Sequence, residues 1–231
     1  MKRFGDVALH LLAFAILALV VPACGGNSKS SSGGSGGSSS AGPLFSEDFS
    51  KAFPGSDWSS PFTTGAGTSI QIDASTGNPA PSLAMTTTQG NSFVGTTGTM
   101  SFASRPSTFN VQMSATGSGE GSGGIAILDH LGVSVAAAEW HAAAPSALTF
   151  RILGTTNSTP VAVPLAGSGF HTFTFSVDAS GNASWRIDSS LVMTLGGFPD
   201  DVLRLQLYDN IPTAAATFAT FHFDNVSVSS P

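Results

Sequence analysis

The residues able to do chemistry in this chain are few. Glu47, Glu120 and Glu139 are its only glutamates, and five His and one Cys complete a short inventory of reactive side chains. Three places set His beside a carboxylate: Asp129-His130, Glu139-Trp140-His141 and His222-Phe223-Asp224. Adjacent residues of a strand point to opposite faces, so Asp129 and His130 do not form one pair; His222 and Asp224 share a face only if the strand is regular. None of these spacings is that of a zinc site. Serine is too abundant for a Ser/His/Asp triad to be read. Asp200-Asp201 follows Pro199 and reads as a solvated turn.

Binding chemistry is better represented. Arg204, Gln206 and Tyr208 alternate with Leu203, Leu205 and Leu207, which puts the three polar residues on one face of a strand. Arg151 and Arg186 have similar outward parity, and Trp140 ends an Ala-rich strand where it could be exposed. Trp and Tyr stack on pyranose rings, and Arg and Gln donate to hydroxyl, carboxylate or sulfate groups. These six residues are therefore the candidate ligand set. Two glycine motifs are set aside. Gly119–Gly124 fits G-x-G-x-x-G but continues into a strand, and Gly33–Gly37 fits G-x-S-x-G inside a Ser/Gly tract; neither has the strand-to-helix context its chemistry needs.

The elements that must position these residues are strands. Period-two alternation recurs, as in Phe109/Val111/Met113 and Phe173/Phe175/Val177, and turn-forming clusters such as Asp178–Asn182 separate the runs. About fourteen short strands without intervening helices predict an antiparallel sandwich or barrel over residues 44–231. In the last strand Phe221 and Phe223 lie on one parity and Val226 and Val228 on the other. That flip is either a β-bulge at Asp224-Asn225 or a strand covered on both faces. With 10% charged residues, a net charge of −6 and eight Lys plus Arg, the composition excludes a nucleic-acid binder, a helical bundle and a disulfide scaffold.

The first 43 residues are an address and a tether. Lys2 and Arg3 precede an apolar run from Val7 to Val21, too short to span a bilayer as a helix and right for a secretory h-region. The run ends in Val21-Pro22-Ala23-Cys24, which resembles the lipobox of bacterial lipoproteins. The resemblance implies a signal peptide over 1–23, an acylated Cys24, and a location in the bacterial cell envelope. The membrane is then reached only through the lipid, and the absence of Asp after Cys24 favours the outer membrane. Residues 24–43 carry the Cys and a Ser/Gly-rich segment that behaves as flexible coil.

Three segments together resemble the concanavalin A-like lectin/glucanase superfamily, which includes laminin-G-like domains and family 16 glycoside hydrolases. They are Leu44–Phe49 with Trp58 following, residues 170–188, and Phe221–Ser229. The resemblance implies an all-β, two-sheet jelly-roll sandwich and a glycan or polysaccharide partner. Family 16 catalysis rests on Glu-x-Asp-x-Glu along one strand, with carboxylates about 5–5.5 Å apart. No glutamate here starts that pattern, so no catalytic residue is carried over. The same resemblance implies one structural calcium, held by Asp224 in the closing strand with Glu47 and Asp48 from the opening strand. The expected function is a non-catalytic, tethered carbohydrate-recognition domain, against a divergent glycan hydrolase or lyase of the same fold or a purely structural lipoprotein.

Overall fold

The computed structural model describes residues 43–100, 105–118, 121–141, 147–152, 161–164, 169–198, 203–211 and 218–230. The leader, Cys24, the tether, Glu120 and Asp200-Asp201 lie outside the described residues. Among the described residues fifteen strands follow one another: β1 (Phe45–Glu47), β2 (Phe62–Thr64), β3 (Thr68–Asp73), β4 (Ser82–Thr87), β5 (Ser92–Thr97), β6 (Thr108–Ser118), β7 (Ser122–Leu128) and β8 (Ser134–His141). The order continues with β9 (Ala147–Ile152), β10 (Val161–Pro164), β11 (His171–Val177), β12 (Ala183–Ile187), β13 (Ser190–Leu195), β14 (Arg204–Ile211) and β15 (Phe218–Ser229).

The strands build two antiparallel sheets. One has eight strands in the order β13-β12-β11-β6-β15-β4-β3, with β1 added against β15. The other has seven, in the order β10-β9-β8-β7-β14-β5-β2. The alternation read from the sequence sets which residues face inward. Phe109, Val111, Met113, Phe173, Phe175, Trp185, Phe221 and Phe223 of the first sheet pack against Ile125, Ile127, Leu148, Phe150, Leu205 and Leu207 of the second. Large aromatic and branched side chains interdigitating between two sheets supply most of the burial. The sheets approach so closely at Gly123 that an added Cβ would stand 2.0 Å from the Phe221 ring.

The closing strand resolves the parity flip as a bulge. The β15–β6 register shifts between Asp224 and Ser227, and Asn225 takes a left-handed φ of 47°. Asn tolerates that conformation better than most residues. The extra residue lets Phe221, Phe223, Val226 and Val228 all reach the core. Trp58 packs under the opening strand, against Phe45 and Phe49.

Candidate functional site

The outer face of the seven-stranded sheet carries most of the polar residues singled out from the sequence. In β14, Leu205 and Leu207 point inward, so Arg204, Gln206 and Tyr208 point outward. Cross-strand pairing extends each position into a row. Tyr208 sits opposite Gly95 of β5 and Gly124 of β7, Gly124 opposite Glu139 of β8, and Glu139 opposite Thr149 of β9. The next row runs through Thr97, Gln206, Ala126, Ala137 and Arg151.

Tyr208 bridges this face. Its hydroxyl donates to Glu139 Oε1 at 2.7 Å, across the strand between them. Gly124 makes that reach possible, because a Cβ there would lie 2.5 Å from the phenol oxygen. Burial, with the Glu139 charge beside it, raises the phenol's pKa well above the ordinary tyrosine value. Arg151 Nη2 stands 3.8 Å from the same Glu139 oxygen, with its side chain 41% exposed and its Nε buried without a partner. His141, two residues beyond Glu139 on the same face, lies 3.3 Å from Thr149 Oγ1.

An aromatic stack flanks the network. Phe62, Phe93 and Tyr208 lie ring against ring, with centroids 5.6 and 5.7 Å apart and planes inclined by 25° and 14°. Exposure rises along the stack, from 6% at Tyr208 to 38% at Phe62. Phe62 and Phe93 are thus the aromatic surface open to a ligand, and sequence reading passed over both. Phe62 belongs to a three-residue strand with no alternation to read, and Phe93 has its meaning only through the pairing of β5 with β14.

Three expectations are corrected. Tyr208 faces outward but is covered by Phe93. Trp140 is 3% exposed and packs in the core with His171 and Phe173, because it shares parity with Ala136 and Ala138 while Glu139 takes the outer face. Arg186 lies on β12 of the other sheet, away from Arg151, Arg204 and Gln206. Arg204 keeps its place at the end of the outer face and donates to the His130 carbonyl at 2.9 Å.

The carboxylates expected to hold calcium lie at the end of β1 and in β15, the strand that β1 pairs with, and Asp48 is near enough for its charge to act on Asp224. Glu47 accepts the Phe49 amide, Asp48 accepts the Ser50 amide and hydroxyl, and buried Asp224 accepts the amides of Asn78 and Asn225. Burial raises the pKa of Asp224, and the charge of Asp48 adds to that rise against the two amides. Among the described residues no three His, Cys, Asp or Glu are grouped to hold a metal. A cation here would therefore draw most of its oxygens from carbonyls and water.

Solved structures are similar to this one over most of the chain. A Crh5 transglycosylase in complex with NAG has a TM-score of 0.60 at 19% identity, covering 80% of this chain and 83% of that one. A Bacillus licheniformis β-glucanase has 0.58 at 11%, covering 83% and 100%. The carbohydrate recognition domain of Emp47p has 0.57 at 13%, covering 83% and 99%. This is the concanavalin A-like jelly-roll fold. No family model matches the sequence, and no curated protein sequence matches it. At these identities the likeness shows the fold alone. The jelly roll hosts enzymes and binding modules alike, so function rests on the site.

Proposed function

We propose that the domain is a non-catalytic carbohydrate-recognition module whose ligand lies on the outer face of the seven-stranded sheet. The observation that carries this reading is the Tyr208–Glu139–Arg151 network bordered by the accessible rings of Phe62 and Phe93. Arg151 and Glu139 offset each other's charge, so the face offers donors, acceptors and apolar ring surface to an uncharged sugar. The similar structures, a transglycosylase holding NAG and a carbohydrate recognition domain among them, support a glycan ligand. The non-catalytic part is supported by the outer positions of β8, which read Ala137, Glu139 and His141. Glu139 is the one carboxylate among the described strand positions of this face, whereas glycoside hydrolysis uses two.

A glycan array with the chain from residue 43 onward tests the reading, because among the described residues the core lies within residues 45–228. Binding to neutral glycans is expected, without release of reducing ends. Phe62→Ala and Arg151→Ala should each weaken binding by about 1–3 kcal/mol, as truncation of interface anchors does. Reducing-end release would contradict the non-catalytic reading, and absence of any bound glycan would favour a structural role.

The same proposal places the module on a lipid anchor at the bacterial envelope, supported by the Val21–Cys24 motif and the Ser/Gly segment behind it. Cys24→Ser is expected to move the protein out of the membrane fraction and to end labelling by a fatty-acid analogue. Unchanged labelling would refute the anchor. Calcium belongs to the proposal as well. Asp224, beside Asp48 and with burial raising its pKa, would supply one charged ligand, and the cation would tie the opening strand to the closing one. The melting temperature is expected to rise with calcium by the binding linkage RT ln(1 + [Ca]/Kd). Asp224→Asn should abolish that rise, and identical melting with calcium and with chelator would refute the site.

A further inference from the structure

Arg186, separated from the other candidate residues by the sheet order, stands in a groove of its own on the outer face of the eight-stranded sheet. The groove has a volume of about 400 Å³, within the range of small-ligand sites. Its floor is one in-register row, Thr108 of β6, Ser176 of β11, Ser184 of β12 and Thr194 of β13, each the cross-strand partner of the next. Neighbouring strands lie about 4.7–4.9 Å apart, so hydroxyls recur at close to the length of one pyranose. Ser176 and Ser184 share a single 2.9 Å bond. Since a hydroxyl carries one donor and two acceptor lone pairs, the pair keeps a donor and several lone pairs for a ligand.

One wall is shaped by a bulge. The β12–β13 register shifts between Trp185 and Arg186, which brings Arg186 opposite Leu191. Bulges re-aim side chains in this way. Arg186 is exposed and gives one 3.3 Å bond to the Ser189 carbonyl, leaving most of its five donors for other partners. Leu191, 55% exposed, adds an apolar surface beside it. The groove also carries one acidic residue, Asp178, whose hydrogen bonds lower its pKa and keep it ionised, so an anionic group is held at Arg186 rather than along the whole groove. The Asp178 carboxylate accepts from the Asn182 side chain and from the Ser180 and Asn182 amides, and Arg105 donates to the Asp178 carbonyl at 3.3 Å. Of the five Lys and Arg beyond residue 43, Arg186 lines this groove, and Arg105 bonds the backbone carbonyl of its lining residue Asp178.

We propose that this groove is a second saccharide site, distinct from the face that carries Arg151, and that it takes an oligosaccharide bearing an anionic group. The sugar hydroxyls pair with the Thr108–Thr194 row, a C–H face rests on Leu191, and the carboxylate or sulfate receives the Arg186 fork. A chain with net charge −6 has no general attraction for polyanions, so binding of this class depends on the local guanidinium.

The test is calorimetric titration of the full chain in detergent with three probes of equal length: a uronate oligosaccharide, a sulfated oligosaccharide and a neutral glucan. At least one anionic probe is expected to bind, the two anionic arms showing which group Arg186 prefers. Arg186→Ala should weaken that binding about tenfold or more, as loss of a charge-assisted pair does. Phe62→Ala and Arg151→Ala should leave it unchanged. Absence of binding by both anionic probes, equal binding by wild type and Arg186→Ala, or loss of anionic binding in Arg151→Ala would each overturn the second site. None of these results bears on neutral-glycan binding at the opposite face.

Discussion

Tyr208→Ala is expected to cost the domain about 3–5 kcal/mol of stability, the cost of truncating a buried aromatic ring. The ring is 6% exposed, stacked on Phe93 and seated over Gly124, so its removal leaves a hole on the outer face and takes one hydrogen-bond donor from Glu139, which keeps Arg151 at 3.8 Å. Tyr208→Phe keeps the ring and deletes only the 2.7 Å bond to Glu139, and should cost about 1–2 kcal/mol. Urea unfolding of the two variants separates packing from hydrogen bonding. Wild-type stability in Tyr208→Ala would mean that the ring is open to solvent, and the aromatic surface offered to a ligand would then include it. This expectation replaces the simpler one from strand parity, in which an outward Tyr208 contacts ligand and leaves the fold nearly untouched.

Asp209→Asn is expected to remove most of the pH dependence of stability between about pH 5 and pH 8. Asp209 follows Tyr208 on β14 and so points the other way, into the core. There its carboxyl receives the Thr87 hydroxyl from the opposite sheet at 3.0 Å. Burial raises the pKa of this carboxyl to about 8. In the unfolded chain an aspartate loses its proton at about pH 4. Across the window between those values the folded state holds one proton more than the unfolded chain, so stability falls as pH rises and levels off above the folded value. The loss from about pH 5 to pH 8 is on the order of 4 kcal/mol. Asparagine is neutral throughout and close in shape, so the variant's denaturation midpoint should stay nearly flat where the wild type's declines. Parallel declines in the two proteins would show that Asp209 is ionised in the folded state at neutral pH.

Much of the architecture was legible because one face of nearly every strand is buried. Burial forces the period-two pattern in strands such as β6, β9, β11 and β14, and the sequence marks a candidate strand at every element except β2. This strand has three residues, all exposed, and joins the sheet only through backbone pairing with β5. The bulge at Asp224-Asn225 was visible for the same reason, since a parity change is the only way both Phe223 and Val226 reach the core. The site was less legible. Parity told that Arg151, Arg186, Arg204 and Tyr208 point away from the core, yet each sheet has its own outer face. Which face a residue occupies is set by long-range pairing such as β14 with β7 and β12 with β11. Parity also told nothing of what lies over an outward residue, and Phe93 covering Tyr208 depends on a neighbour over a hundred positions away in the sequence.

The most direct test of the glycan face is a map of where a neutral ligand sits. Backbone amide shifts of the isotope-labelled domain, followed while a neutral oligosaccharide chosen from the array is added, report that position residue by residue. Perturbation is expected at Phe62, Phe93, Glu139, Arg151 and Gln206, with Thr108, Ser176, Ser184 and Arg186 unmoved. Saturable shifts confined to the eight-stranded sheet, or to the loops with the outer face of the seven-stranded sheet unchanged, would contradict the assignment.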